Sequence, residues 1–221
     1  MEKLKIKDIE KYMESGFLTK PFLDDEFIKR KVDLDFNTKI INNVDYTKIE
    51  SLYHWINHFI KFSKDDTFVS NNKFQRTAQE IWESGFAVGC SDYAILFATF
   101  ARQIGWATTI LATAELNWIK DLHKGKNSRH SGHYFCECYY DGKWVLVDPT
   151  FKKIENNYCL DKLNLSYTIH NSNIYYPYLR CLDLGKKQTI KEHNNEMDDI
   201  CKKKFLSIIN ELDNNNEQRE E

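Results

Sequence analysis

Residues 86–97 read Phe-Ala-Val-Gly-Cys-Ser-Asp-Tyr-Ala-Ile-Leu-Phe. The glycine before Cys90 indicates a tight loop. The residues after Cys90 are apolar on nearly all sides as far as Ile104, which is typical of a buried helix that Gly105 ends. A thiol at the start of a helix lies at the positive end of the helix dipole, which favours the thiolate. Because a lone cysteine before a buried helix is more often structural than catalytic, Cys90 needs partners elsewhere in the chain to be a nucleophile.

The clearest local signal lies downstream of this predicted helix. Residues Tyr134–Tyr140 predict a strand, and Asp141-Gly142 predicts a two-residue hairpin turn with positive φ. The return strand is predicted over Lys143–Asp148, and Pro149 stops its pairing because proline lacks an N–H group. A hairpin with a defined turn fixes which residues of its two strands face each other.

This hairpin brings a histidine and a carboxylate together. If Asp141 and Gly142 are the turn residues, Phe135 faces Asp148 and His133 faces Thr150. Side chains alternate along a strand, so His133 and Asp148 are predicted to be diagonal neighbours on one face, with β-carbons about 7 Å apart or less. A carboxylate that holds one imidazole nitrogen leaves the other nitrogen free to act as a base.

Cys90, His133 and Asp148 together have the parts of a cysteine acyl-transfer triad. Cys90 is the predicted nucleophile, His133 the base and later the acid, and Asp148 the residue that orients the imidazole. His130 is the rival base, but it lies outside the diagonal pairing. The Cys90 backbone N–H is the predicted first oxyanion donor. Three upstream side chains are candidates for the second donor, and the sequence does not choose among them: Gln75, Gln79 and Trp82.

The other cysteines and histidines give no metal-site pattern. The chain has six cysteines and no apolar leader at its start, so reduced thiols in a cytoplasmic protein are expected. Cys136 and Cys138 have poor spacing for zinc and are predicted to be buried on one face of a strand. His54 and His58 lie four apart on a predicted helix without a third ligand. We therefore expect no metal and no other cofactor.

Three blocks of sequence resemble the transglutaminase-like superfamily: Gly89-Cys90-Ser91-Asp92-Tyr93-Ala94, the segment from His133 to Tyr139, and the segment from Trp144 to Thr150 with its Asp-Pro-Thr ending. The resemblance covers about residues 46–155. It implies an α+β, papain-like core of the small bacterial type, with helices packed on an antiparallel sheet. By similarity, Cys90, His133 and Asp148 would be the triad.

The resemblance leaves several activities open, because the superfamily includes crosslinking transglutaminases, cysteine proteases, peptide N-glycanases and non-catalytic members. Crosslinking animal transglutaminases carry Gly-Gln-Cys-Trp, where this chain has Val88-Gly89-Cys90-Ser91. The chain has no room for their calcium-binding additions or β-sandwich domains. Arylamine N-acetyltransferases share the Cys-His-Asp order but are a poor match. These departures favour an amide or peptide hydrolase with an acyl-enzyme on Cys90; acyl transfer to an amine and a non-catalytic binding or scaffold module are the alternatives.

The periodicity of the chain predicts three regions and their elements. Residues 1–45 are predicted to be an N-terminal extension, 46–184 the transglutaminase-like domain, and 185–221 a C-terminal helix with a disordered acidic tail. Within the domain we expect helices over 46–62 and 77–82, loops over 63–73 and 120–132, and strands over 108–113 and 174–184, the last broken by Pro177.

The composition limits the partners. The chain has 221 residues, 42% hydrophobic content and a formal net charge of −2, which is typical of a globular protein. The chain has no excess of basic residues that would suggest nucleic-acid binding. It also has no apolar run long enough to suggest a membrane span. We expect a protein, peptide or other amide substrate, and the sequence does not predict the oligomeric state.

Overall fold

The structure is a computed structural model that describes residues 9–41, 47–126, 131–158, 163–164 and 174–185, together with 191–193, 195–196, 199–201 and 205. Its helices, in chain order, are α1 (Asp25–Ile41), α2 (Lys48–Phe59), α3 (Asp66–Asn72), α4 (Ala78–Ser84), α5 (Cys90–Gln103) and α6 (Leu116–His123). Its strands are β1 (Lys61–Phe62), β2 (Phe86–Ala87), β3 (Thr108–Glu115), β4 (Gly132–Tyr140), β5 (Lys143–Asp148), β6 (Lys153–Glu155), β7 (Leu163–Asn164) and β8 (Ile174–Cys181). The expected α+β class is confirmed.

The main sheet has the strand order β6-β5-β4-β3-β8-β7, and each neighbouring pair is antiparallel. The predicted hairpin is confirmed, because Asp141 and Gly142 have φ values of 50° and 78°. The register of β4 and β5 runs from Tyr140 opposite Lys143 to Cys136 opposite Val147, as the turn requires. The start of β4 and the end of β5 therefore meet at one end of the sheet.

Helix α5 lies against β3 and β4 on one side and against α2 and α4 on the other. Every residue from Ser91 to Arg102 is buried, which confirms the predicted buried helix. Cys136 and Cys138 are fully buried on the sheet face that meets α5, and the Cys136 sulfur lies 3.5 Å from the Ala94 carbonyl oxygen. The helices expected around 46–62 and 77–82 are observed as α2 and α4, and each begins with a capping box.

Three expectations about local structure were wrong or incomplete, and one helix of the N-terminal extension was not predicted. The loop expected over 63–73 contains α3, which Asp65 caps although none of the helix is buried, so no apolar periodicity revealed it. The loop expected over 120–132 begins inside α6. The charged stretch before residue 42 contains the 17-residue helix α1. Pro177 does not break β8, because a register shift between Ala112 and Thr113 of β3 accommodates it.

The core extends beyond the predicted central domain. Leu18, Ile28 and Val32 from the N-terminal region are buried in the same cluster as α2 and α5, and so are Cys201 and Phe205 from the helical residues near the C-terminus. The predicted disordered tail lies outside the described residues. Among the helices that the structure describes, none combines the length and the apolar character needed to cross a membrane.

Candidate active site

Cys90 is the first residue of α5 and is partly exposed. The loop before it is held by Asp92, whose carboxylate accepts the Val88 N–H at 2.8 Å and forms a buried ion pair with Arg76. Arg76 also donates to the Phe86 carbonyl at 2.9 Å. A buried carboxylate requires such a partner, and the pair fixes the loop that delivers Cys90 to the helix start.

His133 and Asp148 form a buried hydrogen bond on the face that the hairpin register predicted. The distance from His133 Nε2 to Asp148 Oδ2 is 2.8 Å, and the side chains are 3% and 2% exposed. Asp148 Oδ1 accepts the backbone N–H groups of Thr150 and Phe151, both at 3.0 Å. Because both carboxylate oxygens are engaged, Asp148 is fixed in orientation, and so is the imidazole that it holds.

The Cys90 thiol and the His133 ring are neighbours, and the His133 ring acts on the pKa of the thiol through its charge and through hydrogen bonding. Since Nε2 is engaged by Asp148, the ring nitrogen available to the sulfur is Nδ1. The structure therefore brings together the three side chains predicted as a triad, in the order sulfur, imidazole, carboxylate.

The end of β5 makes room for the sulfur. The ladder between β4 and β5 ends at Cys136 and Val147, so β4 has no β5 partner beyond this pair. Tyr139 donates its N–H to Ala107 on the β3 side, so the N–H groups of even-numbered residues such as Tyr134 point the other way. Because β5 has ended there, the Tyr134 N–H is turned towards Cys90, and it lowers the pKa of the Cys90 thiol.

The charges of the site favour a thiolate–imidazolium pair. Burial raises the pKa of the Cys90 thiol, but the charge and hydrogen bond of His133 and the Tyr134 N–H outweigh it and leave the pKa below its usual value. Burial likewise lowers the pKa of His133, but the Cys90 thiolate and the Asp148 carboxylate raise it to about 10. In contrast, burial raises the pKa of Cys138 and of Cys181 to about 12, so these thiols stay protonated.

Several residues around the site had not been singled out from the sequence. Aromatic rings surround the His133 imidazole, with centroid distances of 4.7 Å to Phe135, 5.5 Å to Phe151 and 6.3 Å to Tyr175. Thr113, opposite His133 on β3, accepts its N–H and donates to its carbonyl. Of these residues, only Phe135, two positions after His133, was part of a pattern in the sequence, namely the alternation that predicts β4.

A second histidine reaches the site from the C-terminal segment. His193 is buried, its ring stacks on Phe74 with centroids 3.7 Å apart, and its Nε2 lies 3.1 Å from the Tyr134 hydroxyl. Burial and then the charge of Lys73 lower the pKa of His193 to about 4, so it is neutral at ordinary pH. No local sequence pattern links residue 193 to the distant strand β4.

The three candidates for a second oxyanion donor differ in their surroundings. Gln79 is exposed and donates to Glu83 at 2.7 Å. Trp82 packs among Trp55, Phe59 and Phe100. Gln75 is half-buried and follows Lys73, a residue whose charge acts on Cys90. Gln79 is therefore the candidate turned away to solvent and Glu83, which leaves Gln75 and Trp82.

The other histidines predicted to be bystanders lie away from this arrangement. His54 packs against Tyr53 and His58 against Phe59 on α2. Within the described ranges, no three His, Cys, Asp or Glu side chains are grouped so as to hold a metal ion. The rival base His130 lies outside the described residues.

Comparison with known proteins identifies the family of this chain. The model of the transglutaminase-like superfamily matches residues 35–149, just over half of the chain. The chain belongs to the transglutaminase-like superfamily. The resemblance drawn from the three sequence blocks is thereby confirmed, and the matched segment contains Cys90, His133 and Asp148.

A solved structure is similar in fold over more of the chain than the matched segment. It is a protein from Cytophaga hutchinsonii provisionally assigned as a cysteine protease, with a TM-score of 0.50 and 15% identity. The match covers 80% of this chain and 47% of the other, so this chain spans about half the length of that relative. No curated protein matches this chain.

Proposed function

We propose that this transglutaminase-like protein hydrolyses amide bonds in peptides or proteins through an acyl-enzyme on Cys90. One observation carries the proposal: the partly exposed residue Cys90 is the neighbour of a buried imidazole that Asp148 holds at 2.8 Å. A thiolate paired with an imidazolium is the ground state that cysteine acyl transfer requires. The family match and the cysteine protease assignment of the Cytophaga hutchinsonii protein support this class of chemistry.

The first half of the reaction would form a thioester. The Cys90 thiolate attacks the carbonyl carbon, a carbon–sulfur bond forms, and the carbonyl oxygen becomes an oxyanion. As the carbon–nitrogen bond breaks, the leaving nitrogen takes the proton of the His133 imidazolium and departs as a neutral amine. Asp148 keeps the imidazole aligned throughout, and the thioester remains on Cys90.

The second half would return the enzyme to its starting state. Neutral His133 takes a proton from water, and the resulting hydroxide attacks the thioester carbon. The carbon–sulfur bond then breaks, which releases a carboxylic acid and restores the thiolate–imidazolium pair. In both halves, the Cys90 N–H at the start of α5 is the proposed first oxyanion donor, with Gln75 or Trp82 as the second.

Transfer of the acyl group to an amine is the second candidate function. It would use the same thioester, with an amine nitrogen in place of water, and it is supported by the match to a superfamily model named for transglutaminases. The two reactions differ only in the acceptor, so a single experiment can separate them.

The experiment is to incubate the protein with a mixed library of peptides and peptide amides, with and without a primary amine, and to follow products by mass spectrometry. Hydrolysis predicts new free carboxylates and a Cys90 peptide heavier by one acyl group. Amine transfer predicts amine adducts of the library peptides in place of acids. Cys90→Ala is the matched control and should give neither. Library peptides left unchanged, with no acyl group on Cys90, would support the non-catalytic alternative.

A further inference from the structure

A buried carboxylate without a full set of partners lies beside the proposed base. Glu115 ends β3 and is 3% exposed. Its Oε2 accepts the Ser131 hydroxyl at 2.6 Å, but its Oε1 has no hydrogen-bond partner within the described part of the chain. The Tyr175 hydroxyl, on a fully buried residue, likewise has none there. Buried polar atoms left without partners are costly, and two of them together suggest that a ligand completes them.

The strand register places these atoms on the face of His133. Thr113 is opposite His133, and Glu115 lies two residues further along β3, so both point to the same face. Glu115 is opposite Tyr175 on β8, and its N–H bonds to the Ser131 carbonyl, two residues before His133. Glu115 is thus a diagonal neighbour of His133, a separation of about 7–8 Å between backbones. The Tyr175 ring centroid is 6.3 Å from that of His133.

The charges at this end of the sheet are predominantly negative. Burial, followed by the charges of Glu115, Asp148 and Cys90, raises the pKa of Tyr175, so its hydroxyl stays protonated and close to three anionic groups. The imidazolium of His133 is already shared between Cys90 and Asp148. Lys73 acts on Cys90 from the loop before α4. No described cation is paired with Glu115.

We infer that Glu115 and Tyr175 form a subsite for a cationic nitrogen of the substrate, a primary ammonium or a guanidinium, beside the acyl group on Cys90. The inference rests on the proposed function, because it assigns the substrate that Cys90 would receive. The cation donates hydrogen bonds to Glu115 Oε1 and to the oxygen of the Tyr175 hydroxyl. Glu115 is therefore a specificity-determining residue, whereas Ser131 holds the other oxygen in place.

The test uses two alkylating reagents of equal length, so that it needs no known substrate. One is N-(2-aminoethyl)iodoacetamide, which is cationic, and the other is N-propyliodoacetamide, which is neutral. In each case the Cys90 thiolate displaces iodide, a carbon–sulfur bond forms and the carbon–iodine bond breaks. The rate at Cys90 is measured by mass spectrometry at one pH. We expect the wild-type protein to react about 10-fold faster with the cationic reagent, the effect of one charge-assisted hydrogen bond.

The variants identify the residue responsible. Glu115→Gln keeps the shape of the side chain and removes its charge, so the preference should fall to about one while the rate with the neutral reagent changes by less than about 2-fold. Glu83→Gln, at an exposed position on α4, is the matched control and should keep the full preference. If Glu115→Gln does not fold, Tyr175→Phe should still reduce the preference.

The outcomes separate the inference from the proposed function. If Cys90 of the wild-type protein reacts fast, and at the same rate with the cationic and the neutral reagent, the subsite is overturned. The assignment of Cys90 as the nucleophile then still stands. Slow alkylation of Cys90 with both reagents overturns the proposed function itself. A preference that survives Glu115→Gln in a folded protein also overturns the assignment. If cleavage of the library peptides depends on a lysine next to the cleaved bond, the bound cation belongs to the substrate that is cleaved. If amine adducts form instead, the bound cation belongs to the amine that accepts the acyl group.

Discussion

Replacing Asp148 with asparagine removes one charge from the site and little else. Asp148 Oδ1 accepts two backbone N–H groups, so the single oxygen of an asparagine would be held there and its amide group would face His133. The amide then donates to Nε2, which forces the imidazole proton onto Nδ1, the nitrogen beside Cys90. A neutral imidazole with a proton on Nδ1 cannot accept the thiol proton, so the thiolate–imidazolium pair is lost.

The size of the effect follows from the buried bond of 2.8 Å. A hydrogen bond to a charged group contributes about 1.5–3 kcal/mol, and both side chains are almost fully shielded from water. Since one pKa unit corresponds to about 1.36 kcal/mol, the apparent pKa of Cys90 should rise by about one to two units. The assay is the pH dependence of iodoacetamide alkylation at Cys90, whose midpoint reports the thiolate fraction.

The matched control is Asp141→Asn in the hairpin turn, an exposed position whose positive φ asparagine tolerates. This variant should leave the midpoint of Cys90 alkylation unchanged. If a folded Asp148→Asn protein also kept the wild-type midpoint, Asp148 would not act on the Cys90–His133 pair, and the account of the triad would be refuted.

Three further predictions concern the support and protonation of the site. Arg76→Ala leaves the Asp92 carboxylate buried without its cation, so urea unfolding should show a free energy of unfolding lower by about 3–5 kcal/mol. Lys126→Ala, which removes an exposed ion pair, should lower it by less than about 1 kcal/mol. Equal losses in the two variants would contradict the role of burial. Cys90→Ala should abolish turnover with a melting temperature close to wild type, and residual turnover would point to another nucleophile. The rate of acylation should rise with pH as Cys90 ionises below its usual pKa and fall again near pH 10 as His133 loses its proton, whereas a rise that continues past pH 10 would exclude the imidazolium as the acid.

The sequence predicted the centre of the site because its information is local there. The Asp141-Gly142 turn permits one register, and that register alone puts His133 and Asp148 on one face. The residues after Cys90 are apolar on nearly all sides of the helix, which likewise requires a buried helix. Each inference used residues within one helix or one hairpin, where spacing determines geometry.

The rest of the site depends on contacts between distant segments, which spacing does not encode. Arg76 meets Asp92 across a loop, although an aspartate in an otherwise apolar buried helix was a signal that a cation must lie nearby. His193 reaches Tyr134 from a segment beyond the family match, with no pattern to announce it. Glu115 ends a strand predicted only as far as Thr113, so its buried carboxylate was not recognised.

The central claim is that Cys90 is an activated nucleophile, and its reactivity tests that claim most directly. The folded protein is treated near neutral pH with less than one equivalent of iodoacetamide, and the modified cysteine is identified by peptide mass spectrometry. The account predicts that the label is on Cys90, because its pKa is lowered while burial raises those of Cys136, Cys138 and Cys181. A label spread evenly over the six cysteines, or concentrated on another one, would contradict it.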